Sequence, residues 1–300
     1  LEDAKILTEN FLETQGEPLV LRKAKAFRKQ CQEKTVKIWD HELIVGNAGS
    51  KIRGGILSAD VCWSVLDREL DTINTRAYDK FHLLPEDRET FVNLIRPYWK
   101  GRSSYEEWLA RIPSDVAALR DNGALYIDKK AVRGWGEVTA GYEWFITNGV
   151  SGIVAKILEE KAKLDATRPG DYEKELYLDS LLIVAEGLVT LANRYADEAE
   201  RLAAAEADPV RKAELSKIAE ICRNVPEKPA ATFQEALQSF YFYQISIFME
   251  QNAAAYNPGR MDQYMYPFYK ADLEEGRITP DQAQELLDYL SAELPEITDW

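Results

Sequence analysis

The sequence predicts a mostly helical protein with few strands, folded over residues 1–300 as one domain or part of one. Three observations carry this. Between residues 171 and 207, Leu178, Leu181, Leu182, Ala185, Leu188, Val189, Ala192, Tyr195 and Ala199 recur close to a 3.6-residue period, the stripe of a long helix with one buried face. Helix-start signals punctuate the chain at Ser104, Asp208-Pro209, Thr232 and Thr279-Pro280. Strand candidates are few: residues 34–39 alternate, and residues 42–45 form a short apolar run, either of which reads as a short strand or an extended segment ending at Gly46-Asn47.

The other elements follow in order. Residues 3–33 read as two helices broken at Gly16-Glu17-Pro18. The basic glycine turn at residues 50–55 lacks the GxxxxGK[ST] order of a phosphate-binding loop and reads as structural. Residues 60–72 are helical in period, with Trp63, Val65, Leu66 and Leu70 apolar, and residues 85–99 form a helix with Pro85 at its start. Ser104 and Glu107 fit a capping box, with Arg102 and Arg111 beside it in solvent. No repeat, low-complexity segment or clear linker divides the chain.

Composition bounds the function. The chain is 46% hydrophobic and 11% aromatic, ample for a sizeable core. A net charge of -14 argues against nucleic acid or an anionic membrane surface as the main partner, since both select basic patches. No apolar run reaches the roughly 20 residues needed to span a bilayer. Leu1-Glu2-Asp3 offers no leader, and three well-separated cysteines, Cys31, Cys62 and Cys222, form no disulfide or metal spacing, so a reduced cytoplasmic compartment is expected. With His41 and His82 alone, a histidine-based metal site or a Ser-His-Asp triad has little material, and no metal is expected.

Two stretches depart from helical sequence. Residues 123–152 combine Gly134-Trp135-Gly136 with Arg133, Glu137, Tyr142 and Trp144. Glycines on both sides of Trp135 let the backbone seat a large ring in a tight place, as a packing anchor or as a substrate-facing wall. Arg133 and Glu137 read equally as a surface pair. Residues 250–269 follow an apolar aromatic run, break at Asn257-Pro258-Gly259-Arg260, and restart with Tyr264, Tyr266, Phe268 and Tyr269, which reads as a functional loop at the edge of a core or as a buried turn.

Four segments, in this order and spacing, carry a resemblance: Asp40-His41-Glu42-Leu43-Ile44-Val45-Gly46-Asn47, then Ala59-Asp60-Val61-Cys62-Trp63-Ser64, then residues 229–238 with Phe233-Gln234-Glu235-Ala236-Leu237-Gln238, then residues 258–269 from Pro258-Gly259-Arg260 to Tyr269. The chain resembles, over essentially its whole length, the N-terminal part of the glycyl radical enzymes related to pyruvate formate-lyase. The resemblance implies the mostly helical N-terminal part of a ten-stranded α/β barrel, with a buried active site and a homodimeric state. It implies a radical stored on a backbone glycine, passed to a cysteine thiyl that takes a hydrogen atom from substrate, and installed by a separate iron–sulfur activating enzyme that uses S-adenosylmethionine. In lyases and dehydratases of the family a glutamate then assists loss of water, amine or sulfite, while other members decarboxylate.

The Cys-x-Glu motif and the C-terminal glycine loop of the family are absent from the 300 residues; Cys222, for example, is followed by Arg223-Asn224. The radical-bearing residues are therefore expected downstream in a longer chain, and the isolated 1–300 segment is expected to have no turnover. In glycerol and diol dehydratases a Gly-His motif and a His-Ser pair bind substrate hydroxyls; the matching positions here carry Trp135 and Ala254-Ala255. A polyol left without those partners loses about 1–3 kcal/mol per unpaired hydroxyl. The resemblance thus implies a pocket with Trp135, Arg133, Glu137, Ala254 and Ala255, suited to a sulfonate, a quaternary amine or an arylacetate. Trp135 and the alanines packing the barrel wall is the alternative at the residue level. A non-catalytic homologue or structural fragment is the alternative at the level of the protein.

Overall fold

In the computed structural model, residues 1–47, 49–51, 54–78, 80–125, 139–165, 167–251, 256–293 and 297–299 are described. The helices are α1 (Glu2–Glu13), α2 (Leu19–Glu33), α3 (Ala59–Cys62), α4 (Ser64–Glu69), α5 (Pro85–Thr90), α6 (Arg96–Trp99), α7 (Ser104–Leu109), α8 (Ser114–Asp121), α9 (Tyr142–Lys161), α10 (Asp171–Ala205), α11 (Pro209–Asn224), α12 (Phe233–Gln251), α13 (Met261–Glu274) and α14 (Pro280–Glu293). Strands β1 (Gly54–Ile56) and β2 (Ile297–Asp299) pair in parallel, Gly54 opposite Ile297.

The apolar stripe becomes the 35-residue α10, packed chiefly against α2 and α11. Its buried positions are dominated by small residues, among them Ala185, Ala192, Ala196, Ala199 and Ala203, which allow those helices to approach closely. Among the described residues, the larger of two apolar clusters joins α2, α9, α10, α11, α12, α13 and α14. The second gathers α1, part of α2, the short helices α3, α4 and α6 and the π-turn at 91–95 around Trp63, Phe91 and Trp99. Helix α12 runs through the larger cluster with Phe240, Tyr241, Phe242 and Ile245 fully buried.

Helix starts follow the side chains that satisfy the free N–H groups of a first turn. Asp208 accepts from the backbone N–H of Val210 at 3.1 Å ahead of α11. Ahead of α14, Thr279 Oγ1 accepts from Gln282 N at 3.2 Å and Gln282 Oε1 accepts from Thr279 N at 2.9 Å, a reciprocal capping box. At α12, Thr232 accepts from Glu235 N at 3.2 Å, and the buried Asp272 of α13 accepts from Phe233 N at 2.8 Å.

Several expectations are corrected. The capping box of α7 is formed by Ser103 and Glu106, one residue earlier than Ser104 and Glu107, because Glu106 also accepts from the Trp63 indole at 3.0 Å. The helix expected at 60–72 is interrupted at Trp63, giving α3 and α4. Residues 85–99 are helical throughout, but α5 and α6 are joined by a π-turn, Phe91–Ile95, in which Arg96 N donates to Phe91 O; Pro97, which has no N–H, lies just beyond it. The basic turn at 50–55 runs into a strand, β1, whose partner β2 is near the other end of the chain. The end of the glycine-rich stretch 123–152 is helical, since α9 begins at Tyr142.

Residues 42–47 form no strand among the described residues: the chain bends at Leu43-Ile44, and side chains hold its backbone. Gln238 Oε1 accepts from Val45 N at 2.8 Å and its Nε2 donates to Val45 O at 2.7 Å. Arg211 donates to Glu42 O at 2.9 Å, and Tyr195 Oη accepts from Asn47 N at 2.7 Å. The first and third segments of the resemblance are thus in direct contact, which ties their sequences together physically.

Candidate active site

The five positions expected to line the pocket, Arg133, Trp135, Glu137, Ala254 and Ala255, lie outside the described residues. The structure does place what flanks them. Residues 126–138 lead into Thr139 and the start of α9, and residues 252–255 follow the C-terminal end of α12. These flanks converge. Gly259, at φ 67°, lies so close to Thr139 that an added Cβ would stand 3.1 Å from Thr139 Cγ2. The turn at Asn257-Pro258-Gly259 therefore packs against the entrance to α9, so the described parts of the two unusual stretches meet there.

An aromatic box holds this junction. Tyr142, the first residue of α9, is 1% exposed. Its hydroxyl donates to Gln244 Oε1 on α12. Its ring lies 4.8 Å from Phe240, meets Tyr243 edge-on at 5.4 Å, and stacks at 13° on Tyr264 of α13 with centroids 6.5 Å apart. Phe145 stacks on Tyr243 at 4.2 Å. Tyr264 Oη donates to Pro258 O at 2.8 Å, closing the path back to the turn. Burial, reinforced by Tyr264, Tyr243 and Tyr256, pushes the Tyr142 phenol well above its ordinary value, and burial likewise raises Tyr243 and Tyr264. The hydroxyls of Tyr142 and Tyr264 both serve as donors, to Gln244 Oε1 and Pro258 O.

Arg260, the most conspicuous charge of the loop, pairs with Asp262 at 3.1 Å while both side chains remain about 70% exposed, 70% and 68%. It anchors the start of α13 and faces solvent. Next to the other flank, a cavity of about 30 Å³ lies between α1, α2, the end of β1 and Met249-Glu250. There Lys23 pairs with Asp60 at 2.6 Å; burial lowers the Lys23 ammonium, but Asp60 and Glu250 outweigh it and hold the pKa above its ordinary value.

Nothing described supplies a reactive thiol or a metal site. Cys31, Cys62 and Cys222 are buried and free, and burial pushes the Cys31 thiol up to about 12 and raises the other two. No group of three or more His, Cys, Asp or Glu able to hold a metal ion is present among the described residues. No helix among them is long and apolar enough to cross a membrane. Gln244 escaped the sequence reading; its one signal is an amide set within the aromatic run at 240–248.

The family profile described as pyruvate formate lyase-like matches residues 1–299. The chain belongs to the pyruvate formate lyase-like family, the glycyl radical enzymes. It is 37% identical, over its full length, to an isethionate sulfite-lyase of Oleidesulfovibrio alaskensis, of which it spans 37%. The solved structure titled as 1,2-propanediol dehydration in Roseburia inulinivorans matches 98% of this chain at 35% identity with a TM-score of 0.95, and this chain covers 35% of it. A glycyl radical enzyme from Archaeoglobus fulgidus matches 99% of the chain at 30% identity with a TM-score of 0.94, with 38% of that structure covered. The chain therefore spans little more than a third of these glycyl radical relatives. Its fold is the mostly helical N-terminal part of their α/β barrel.

Proposed function

We propose that the protein to which this chain belongs is a glycyl radical lyase that cleaves a carbon–heteroatom bond of a small substrate other than glycerol or a vicinal diol, with a sulfonate as the leading class. The single observation that carries this is 37% identity, over the whole of this chain, to an isethionate sulfite-lyase. A solved structure concerned with diol dehydration is nearly as similar, so overall identity does not choose between the substrates. The pocket-matching residues favour the first. Ala254 and Ala255 bring methyl groups and Trp135 an indole, where a diol requires hydroxyl partners. Arg133 supplies the charge that a sulfonate requires, tempered by Glu137. A quaternary amine held on Trp135 and an arylacetate undergoing decarboxylation are the next classes.

In this reading residues 1–300 are the N-terminal portion of one pyruvate formate-lyase-like domain. The reactive cysteine, its glutamate and the radical glycine lie in the remainder. A radical S-adenosylmethionine activase installs the radical, the protein is a cytoplasmic homodimer, and the 1–300 segment alone is inactive. The test is the full-length protein, activated anaerobically and offered isethionate, choline, indoleacetate and 1,2-propanediol. Sulfite release from isethionate with no product from propanediol is expected; turnover of propanediol as the preferred substrate contradicts the assignment. Trp135→His combined with Ala255→Ser is expected to move the ratio of kcat/KM toward the diol by about tenfold or more. An unchanged ratio places these positions outside the pocket.

A further inference from the structure

We propose that the cavity between α1, α2, the end of β1 and the last turn of α12 is a binding site for a monovalent cation of the size of potassium or ammonium. Its lining is rich in oxygen, with Asp3, Gln30, Ser58, Asp60 and Glu250 around a space of about 30 Å³. A space of roughly 10–15 Å³ already admits one water-sized particle, so this one holds a single small ion with room for about one water beside it. Asp3 is the group that calls for the ion. It is 7% exposed, and its Oδ1 has no hydrogen-bond partner. A buried carboxylate oxygen without a donor is more costly than a neutral group in the same position, and a bound cation removes that cost.

The side-chain cations nearby are held by other groups. Lys23 Nζ donates to Asp60 Oδ2 at 2.6 Å. Burial works against the Lys23 ammonium, and it is Asp60 and Glu250, not Asp3, that hold its pKa up. Lys34, 0% exposed, donates to Asn47 O at 2.9 Å. At Asp3 burial dominates and raises the carboxyl pKa; Lys34 offsets this only in part, and Glu2 adds to the rise. With Asp60 balanced by Lys23, the charge left inside is that of one carboxylate, and Glu250 stands exposed at the rim. One net charge suits a monovalent ion. A calcium-like ion draws on several carboxylates, and no group of three or more His, Cys, Asp or Glu able to hold a metal ion is present among the described residues. The remaining side-chain donors, the amide of Gln30 and the hydroxyl of Ser58, supply the neutral oxygens that a hard cation prefers. An ion held there joins α1 to α2, β1 and α12.

The experiment is hydrogen exchange of the full-length protein in simple salts, which needs neither radical nor substrate. Amides of α1 and of residues 56–60 are expected to exchange about tenfold more slowly in about 100 mM potassium or ammonium chloride than in tetramethylammonium chloride at the same concentration, the factor for an ion at about ten times its Kd, with α10 unchanged. Asp3→Asn keeps the shape and removes the charge, and is expected to abolish the difference. Gln30→Met keeps the volume and removes one oxygen; it is expected to reduce the difference by about threefold or more, and decides the matter if Asp3→Asn fails to fold. Rubidium, which scatters anomalously, is expected to give a peak in the cavity of wild-type crystals. Equal exchange in potassium and tetramethylammonium, a difference that survives undiminished in the variants, or a cavity filled by water alone or by a basic side chain from outside residues 1–300 overturns the proposal.

Discussion

Glu106 shows how much one side chain can organise. It accepts from Trp63 Nε1 at 3.0 Å, from Gly101 N at 3.0 Å, and from Ser103 Oγ at 2.7 Å, linking α7 to the junction of α3 and α4. Burial raises its pKa, but the donors from Trp63, Ser103 and Gly101 outweigh that, and the folded-state value lies below the ordinary 4.5. A depressed carboxylate stabilises the fold above its unfolded pKa and loses that contribution as pH falls through the folded value. Glu106→Ala is therefore expected to cost about 1–2 kcal/mol at neutral pH. Denaturant unfolding across pH checks this: the gap to wild type should narrow as pH drops below 4.5, and a constant gap would assign the loss to packing. The sequence showed the acidic residues of this cap but not which one acts. Ser103-Ser104 and Glu106-Glu107 offer two overlapping registers, and the choice is made by Trp63, 43 residues away.

Helix α9 makes the same point for an element. Its sequence, YEWFITNGVSG at the start, reads as loop because of its glycines, and it is helical on both sides of Gly149. Gly149, at φ 64°, breaks the ladder so that residues 226–230 can dock into the kink. Val150 N donates to Pro226 O and Ser151 N to Glu227 O, both at 2.8 Å, and Ala230 N donates to Ile146 O at 3.0 Å. A Cβ at 149 would stand 2.5 Å from the Lys228 carbonyl carbon and 2.7 Å from Pro229 N. Gly149→Ala combines left-handed strain with a backbone clash and is expected to destabilise by about 2–4 kcal/mol. Thermal unfolding measures this, and a loss below about 0.5 kcal/mol would mean the kink is not required. Elements with local signals, such as α10 with its stripe and α11 and α14 with their caps, were legible. The strand β1 was not, because three residues around two glycines acquire strand character only from β2, far along the chain. The 42–47 segment was left between strand and coil for a related reason: Val45 is held by the amide of Gln238.

At the scale of the whole molecule, the four recognisable segments were a surer guide than composition. They gave the family that the profile match and a TM-score of 0.95 establish, and the structure explains two of them as mutual contacts through Gln238 and a third as the α13 start packed on α9. The candidate site was legible only in outline. Its two stretches were singled out separately, and the contact between Thr139 and Gly259 unites them, but Arg133, Trp135, Glu137, Ala254 and Ala255 lie outside the described residues, and their roles remain part of the proposal. The central claim, that this chain is the N-terminal part of a radical lyase, is tested most directly by electron paramagnetic resonance of the full-length protein after anaerobic treatment with its S-adenosylmethionine-dependent activase. The account predicts a glycyl radical doublet, absent when residues 1–300 are treated alone; a full-length protein that stays silent beside a relative activated in the same preparation would contradict it.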